Sequence, residues 1–187
     1  MSTLSSITGA IFCGGLSSRM GFAKAGLRLA DGKTMIEHVY DALKNVCSRV
    51  VLVGHAEGVP ESLKHLLQIE DRYLFCGPMS ALEALLSSDV DRDYIITPCD
   101  LAWVTPEVYG CLLDESLRSP AVLKREEHIE HLIARYSIKE LPLVHHLLHN
   151  KILAMRYLTN LSQARLIPVP EHLHVALQNV NAPGDLS

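Results

Sequence analysis

The chain has 187 residues, 48% of them hydrophobic and 20% charged, with a formal net charge of −4. That composition can bury a sizeable core and excludes a disordered chain, and the length suits one domain, residues 1–187. A chain without a basic excess is excluded as a non-specific nucleic-acid binder, and no apolar run approaches the ~20 residues that span a membrane. The N-terminus has no basic stretch leading into a long apolar one, so it reads without a secretory signal. The cysteines (Cys13, Cys47, Cys76, Cys99, Cys111) form no Cys-x-x-Cys pair and read as reduced thiols of a cytoplasmic protein.

Ala10 to Phe12 is an apolar run that predicts a short buried strand. It opens into Cys13-Gly14-Gly15-Leu16-Ser17-Ser18-Arg19-Met20-Gly21-Phe22-Ala23-Lys24. Glycines let a backbone approach a ligand closely and turn its N–H groups inward. Ser17 and Ser18 add donors, and Arg19 and Lys24 add positive charge, as a loop that wraps phosphates requires. The P-loop string is absent, and Gly14-Gly15 has the wrong spacing for the dinucleotide fingerprint. A Gly/Ser-rich surface turn has the same composition. The order of strand, double glycine, arginine, glycine and lysine favours the phosphate loop.

Asp31-Gly32 then predicts a hairpin-like turn, and Thr34-x-x-Glu37 a capping box opening a helix with Ile36, Val39, Tyr40 and Leu43 on its buried stripe. Arg49 to Val53 predicts a strand covered on both faces. Gly54-His55 ends it, with His55 either a solvated loop residue or a base or ribose contact. Pro60 to Leu67 predicts a short helix, and Leu67 to Glu70 a strand with Asp71 at its end. Gly77-Pro78 opens a helix to about Ser87. Asp93 to Asp100 reads as an apolar strand ending in Pro98-Cys99-Asp100. An aspartate there points into a ligand crevice as a hard oxygen ligand for a Mg²⁺ shared with a substrate phosphate, or caps a helix or loop. Thr105-Pro106 starts a helix to about Leu117. Strands over Ala121–Lys124, Leu132–Tyr136 and Arg165–Val169 follow, with a helix from Lys139-Glu140 and another over Lys151–Leu161. Strands alternating with helices predict an α/β fold, a three-layer α/β/α sandwich with a Rossmann-like, mainly parallel sheet. His128, His131, His145, His146 and His149 cluster as zinc ligands do, but no cysteine accompanies them: His128 and His131 read as flanking a strand, and His145 and His149 as sharing a helix face. Lys124, Arg125, Arg135 and Arg156 are either solvated charges or contacts for an anionic ligand.

The loop resembles the Leu-Ala-Gly-Gly-x-Ser-x-Arg-Met-Gly-x-Asp-Lys signature of the molybdenum cofactor guanylyltransferases, the MobA family of the nucleotide-diphospho-sugar transferase-like superfamily. Gly14, Gly15, Ser17, Arg19, Met20, Gly21 and Lys24 match. Phe12-Cys13 stands for Leu-Ala, and Ala23 for the aspartate, which removes a carboxylate from the loop. Asp71 with Gly77-Pro78, then Pro98-Cys99-Asp100, then Asn179, Val180, Asn181, Pro183, Asp185 and Leu186 near the end match further family strings in order, with Ala182 for threonine.

The resemblance implies nucleotidyl transfer: a terminal phosphate of molybdopterin attacks the α-phosphorus of GTP and pyrophosphate leaves. It implies that Phe12, Cys13, Gly14, Gly15, Ser17, Arg19 and Lys24 hold the triphosphate. Asp71, near Gly77 and Pro78, would read guanine, and Asp100 with Asn181 would hold Mg²⁺. Lys24, Asp100 and Arg19 would act in catalysis. Gly14 stands where cytidylyltransferase relatives commonly have alanine. Other cofactor-biosynthesis or molybdoenzyme-maturation proteins are implied as partners. Two alternatives remain open: a CTP-dependent or other sugar- or alcohol-phosphate nucleotidyltransferase, and a catalytically weak binding relative, which Ala23 favours.

Overall fold

Strand β1 (Ser5–Phe12) lies in the middle of a sheet whose order is β3-β2-β1-β4-β6-β5-β7. The structure is a computed structural model and describes residues 5–13, 28–55, 58–73, 75–114 and 119–178. Its other strands are β2 (Cys47–Val53), β3 (Gln68–Ile69), β4 (Asp93–Pro98), β5 (Ala121–Arg125), β6 (His128–Ser137) and β7 (Arg165–Pro168). β6 pairs antiparallel with β4 and β5, and every other pairing is parallel, so β6 alone runs against the rest. The expectation of a mainly parallel sheet holds.

Period-2 alternation splits the strands between two cores. Ile7 and Ile11 of β1 join Ile36, Val39 and Leu43 of α1 (Met35–Leu43) and Val108 of α3 (Pro106–Gly110). Ala10 and Phe12 face the other way, onto Met79, Leu82 and Leu85 of α2 (Pro78–Leu86). Val144 and Leu147 of α4 (Leu141–His149) and Leu158 of α5 (Met155–Leu161) complete that face. Helices therefore cover both faces of the sheet, giving three layers. Packing of α1 on β1 is close: a Cβ on Gly9 would meet Leu43 Cδ2 at 3.1 Å. Leu43 has no exposed surface, and truncating such a residue to alanine costs about 2–5 kcal/mol.

Three expected helices change in extent. Over Pro60–Leu67 only a 3₁₀ turn forms, Glu61–Leu63, because Leu63 is the one side chain of that turn buried in the core. Leu66, three residues on, packs against the same core from the turn that follows. α3 stops at Gly110 rather than near Leu117. α5 starts at Met155 rather than Lys151, because Lys151 takes a left-handed backbone (φ 56°) directly after α4. β6 begins at His128, before the expected Leu132.

Candidate functional site

The parallel register aligns the carboxyl ends of four strands. Phe12 lies level with Val53 and Pro98, and Val53 with Ile69. One or two residues further on come Cys13, Gly54-His55, Asp71 and Asp100. The strand order reverses between β1 and β4, since the β1-to-β2 crossover carries α1 on one face and the β3-to-β4 crossover carries α2 on the other. Such a switch point is where α/β sheets open a crevice for ligands.

Asp71 sits on one side of that crevice. Its Oδ1 is buried without a hydrogen-bond partner among the described residues. Burial raises its carboxyl above the usual range, and nearby His55 offsets part of the rise. The chain after it folds back on α2, where the Tyr73 N–H donates to Ser80 Oγ at 3.2 Å. Gly77 caps α2 with φ 59° and ψ −148°, a conformation open to glycine alone, and no side chain caps the helix. Pro78 follows at the first turn. The resemblance had grouped Asp71, Gly77 and Pro78, and all three stand at this end of α2, half-buried.

Asp100 stands two residues past the end of β4, half-buried. The chain beyond it enters the core at Leu101 and Ala102, and Ala102 packs with Met35 and Leu29. Leu29 belongs to the hairpin expected at Asp31-Gly32: its N–H donates to Lys33 O at 2.7 Å, and Arg28 bridges Thr34.

Phe12 and Cys13 are the phosphate-loop positions that the structure describes. Phe12 is buried on the α2 face of the sheet. The Cys13 N–H donates to Val53 O at 2.8 Å. The sheet thus uses that donor, and amides free to meet a phosphate begin no earlier than Gly14. Burial, with Cys99 beside it, pushes the Cys13 thiol up. Gly14, Gly15, Ser17, Arg19, Lys24 and Asn181, with Ala23, lie outside the described residues.

Lys124 and Arg125, at the carboxyl end of β5, pair with Glu127 and Glu130. Arg135 pairs with Asp93 at the opposite end of the sheet. Arg156 lies over the Tyr157 ring. His128 and His131 do not flank a strand but both lie within β6, which starts earlier than its apolar residues suggest. His131 Nδ1 is 2.9 Å from Thr159 Oγ1. Burial lowers the His131 pKa, helped by nearby His128 and Arg156. Among the described residues no three His, Cys, Asp or Glu side chains gather to hold a metal.

One cluster was not expected. Glu83 lies in the middle of α2, its side chain 2% exposed. Its Oε1 accepts from Arg72 Nη2 at 2.8 Å and Ser87 Oγ at 2.9 Å, with His145 Nε2 at 3.0 Å. A glutamate inside the apolar run Met79–Leu86 was the available signal, but its main partners are 11 and 62 residues away.

Comparison with known proteins places these features in a family context. Residues 9–165 match the MobA-like NTP transferase domain. A probable molybdenum cofactor guanylyltransferase of Carboxydothermus hydrogenoformans is 31% identical, covering 97% of this chain and 94% of that protein. The molybdenum cofactor guanylyltransferase of Desulfosudis oleivorans is 28% identical over 98% and 94%. In fold, the chain resembles molybdopterin-guanine dinucleotide biosynthesis protein A of Archaeoglobus fulgidus (TM-score 0.73, 22% identity, 96% and 95% covered). It also resembles the 2-C-methyl-D-erythritol 4-phosphate cytidylyltransferase of Thermus thermophilus (TM-score 0.71, 14% identity, 97% and 95% covered).

Proposed function

The chain belongs to the MobA-like NTP transferase family, and from that premise we propose that it transfers GMP from GTP to molybdopterin. A terminal phosphate oxygen of the pterin attacks the α-phosphorus of GTP. The bond from that phosphorus to the bridging oxygen breaks, and pyrophosphate departs as the guanine dinucleotide cofactor forms. The attacking phosphate is already ionised near neutral pH, so no general base is required. What such a transfer asks of a protein is alignment and charge stabilisation.

The observation that carries the reading is the placing of two carboxylates on one sheet edge. Asp71 follows β3 and Asp100 follows β4, three strands along. At about 4.8 Å per strand they stand roughly 15 Å apart, a span suited to an extended nucleoside triphosphate. Guanine presents N1–H and N2–H side by side, a pair that a carboxylate accepts. Cytosine offers an acceptor where guanine offers N1–H. Asp71, with a buried oxygen lacking a partner among the described residues, suits guanine.

At the other end, Asp100 is a hard oxygen donor at the mouth of the crevice. It fits Mg²⁺, which takes one or two carboxylates and completes its shell with phosphate and water. Asp100 would hold the ion with Asn181, and Mg²⁺ when bound would neutralise charge on the reacting phosphates. Lys24, Arg19 and the amides from Gly14 onward would steady the triphosphate. The proposed unit is one domain acting in the cytoplasm. Two observations are consistent with that setting: no disulfide joins its cysteines, and among the described residues no helix is long and apolar enough to cross a membrane. Molybdoenzyme-maturation proteins would take the product.

Calorimetric titration with GTP and CTP, each with Mg²⁺, tests the reading. GTP should bind more tightly. Equal or tighter binding of CTP removes the guanine assignment and leaves the nucleotidyltransferase class standing.

A further inference from the structure

We propose that Arg72 and Glu83 are positioning residues that hold the Asp71 loop against α2 and thereby set the preference for guanine. The proposal rests on the reading that Asp71 receives the base.

A carboxylate inside an apolar helix is costly unless it is paired. Glu83 is flanked on α2 by buried Leu82, Ala84 and Leu86. A residue there for packing alone would be apolar. Instead its Oε1 gathers Arg72, Ser87 and His145, and its Oε2 is buried with no partner among the described residues. The charge therefore holds what it can reach. Arg72 supplies that from the residue directly after Asp71, and His145 supplies it from α4.

The loop is thus fixed on both sides of Asp71. Before it, Gly54 N–H donates to Ile69 O at 2.8 Å. After it, Arg72 reaches Glu83 and the Tyr73 amide reaches buried Ser80. A backbone pinned at both ends leaves the Asp71 carboxylate little freedom to follow a different base. The chemistry takes place at β4, three strands away, so loosening the loop should act on nucleotide binding rather than on the chemical step.

Arg72 is also a practical place to test this. Its side chain is 59% exposed, in an open groove of about 540 Å³ shared with Tyr73, Glu83 and His145, so truncation opens no hole in the core. In Arg72→Ala the preference for GTP over CTP, as kcat/KM, should fall about tenfold. The fall should enter through the KM for GTP, with kcat held. Arg72→Lys should recover part of it. Amide exchange at Tyr73 in the nucleotide-free protein should quicken in Arg72→Ala. Asp71→Asn serves as the reference. If Asp71→Asn lowers selectivity and Arg72→Ala does not, the positioning role is overturned. If Asp71→Asn leaves selectivity unchanged, the guanine reading fails instead. The hold on the loop then stands on faster Tyr73 exchange in Arg72→Ala and falls on wild-type exchange.

Discussion

Helices α1 and α2 begin in contrasting ways, although each has a carboxylate at or near its first turn. At α1 the box closes. Thr34 Oγ1 accepts from the Glu37 N–H, and Glu37 Oε2 accepts from the Thr34 N–H at 2.8 Å. Ser62 Oγ donates to the other carboxylate oxygen. At α2 no side chain caps the helix, Gly77 takes a conformation that other residues avoid, and Asp71 keeps a buried oxygen without a partner among the described residues. The carboxyl groups register the contrast. Hydrogen bonds from Ser62 and Thr34 lower the Glu37 pKa, whereas burial raises that of Asp71. A carboxylate whose needs are met serves the fold. One whose needs are left open costs the fold something and is available to a ligand.

The largest effect should come from the carboxylate that follows β4. Asp100→Asn keeps shape and deletes charge, so Mg²⁺-dependent turnover should drop by roughly 100-fold or more, with the unfolding midpoint little changed. Near-normal turnover would take Asp100 out of the site, and a collapsed midpoint would recast it as a cap.

Asp71→Asn sharpens the contrast most. GTP affinity should fall about tenfold or more in calorimetry, the usual scale for losing a charged hydrogen bond. The ligand-free protein should meanwhile unfold at a higher temperature at pH 7. The sign follows from linkage. A carboxyl whose folded pKa is raised above 3.8 stabilises the fold below that value, and the contribution disappears as pH rises through the folded pKa. The gain from Asp71→Asn should therefore be absent at pH 3.

Thr34→Ala is the counterpart on the closed side. It should cost about 1 kcal/mol of stability in a denaturant titration and leave the KM for GTP unchanged. Glu37 has the opposite linkage to Asp71. Its folded pKa lies below 4.5, so its contribution is present above 4.5 and is lost as pH falls through the folded value. Glu37→Gln should flatten the acid limb of the stability curve. A smaller effect is expected at Ala23: Ala23→Asp should raise turnover a few-fold if the family carboxylate supports Lys24 or the metal, and unchanged turnover would show the departure to be neutral.

Legibility in the sequence followed the range of the forces involved. The capping box, the β-branched run of β2, the Gly77-Pro78 start of α2 and the strand that leads to Asp100 all declare themselves within a few residues, and all form, the last ending at Pro98, two residues early. The turn at Glu61–Leu63 does not, because whether its apolar residues reach a core depends on elements far along the chain. Neither does the start of β6, whose polar His128, Glu130 and His131 disguise a strand that pairs with β5 through a register shift. Asp71 and Asp100 could be named as candidates because each closely follows an expected strand. Glu83 was missed because its meaning lies in Arg72 and His145, which only the fold brings to it.

The most direct measurement is a competition assay. Wild type and Asp71→Asn are each given molybdopterin, Mg²⁺ and equimolar GTP and CTP, and the dinucleotide products are separated by mass. Wild type should yield the guanine dinucleotide almost alone with stoichiometric pyrophosphate, and Asp71→Asn should yield less of it with a larger cytosine share. A cytosine product from wild type, or the same product ratio from both proteins, would contradict the account.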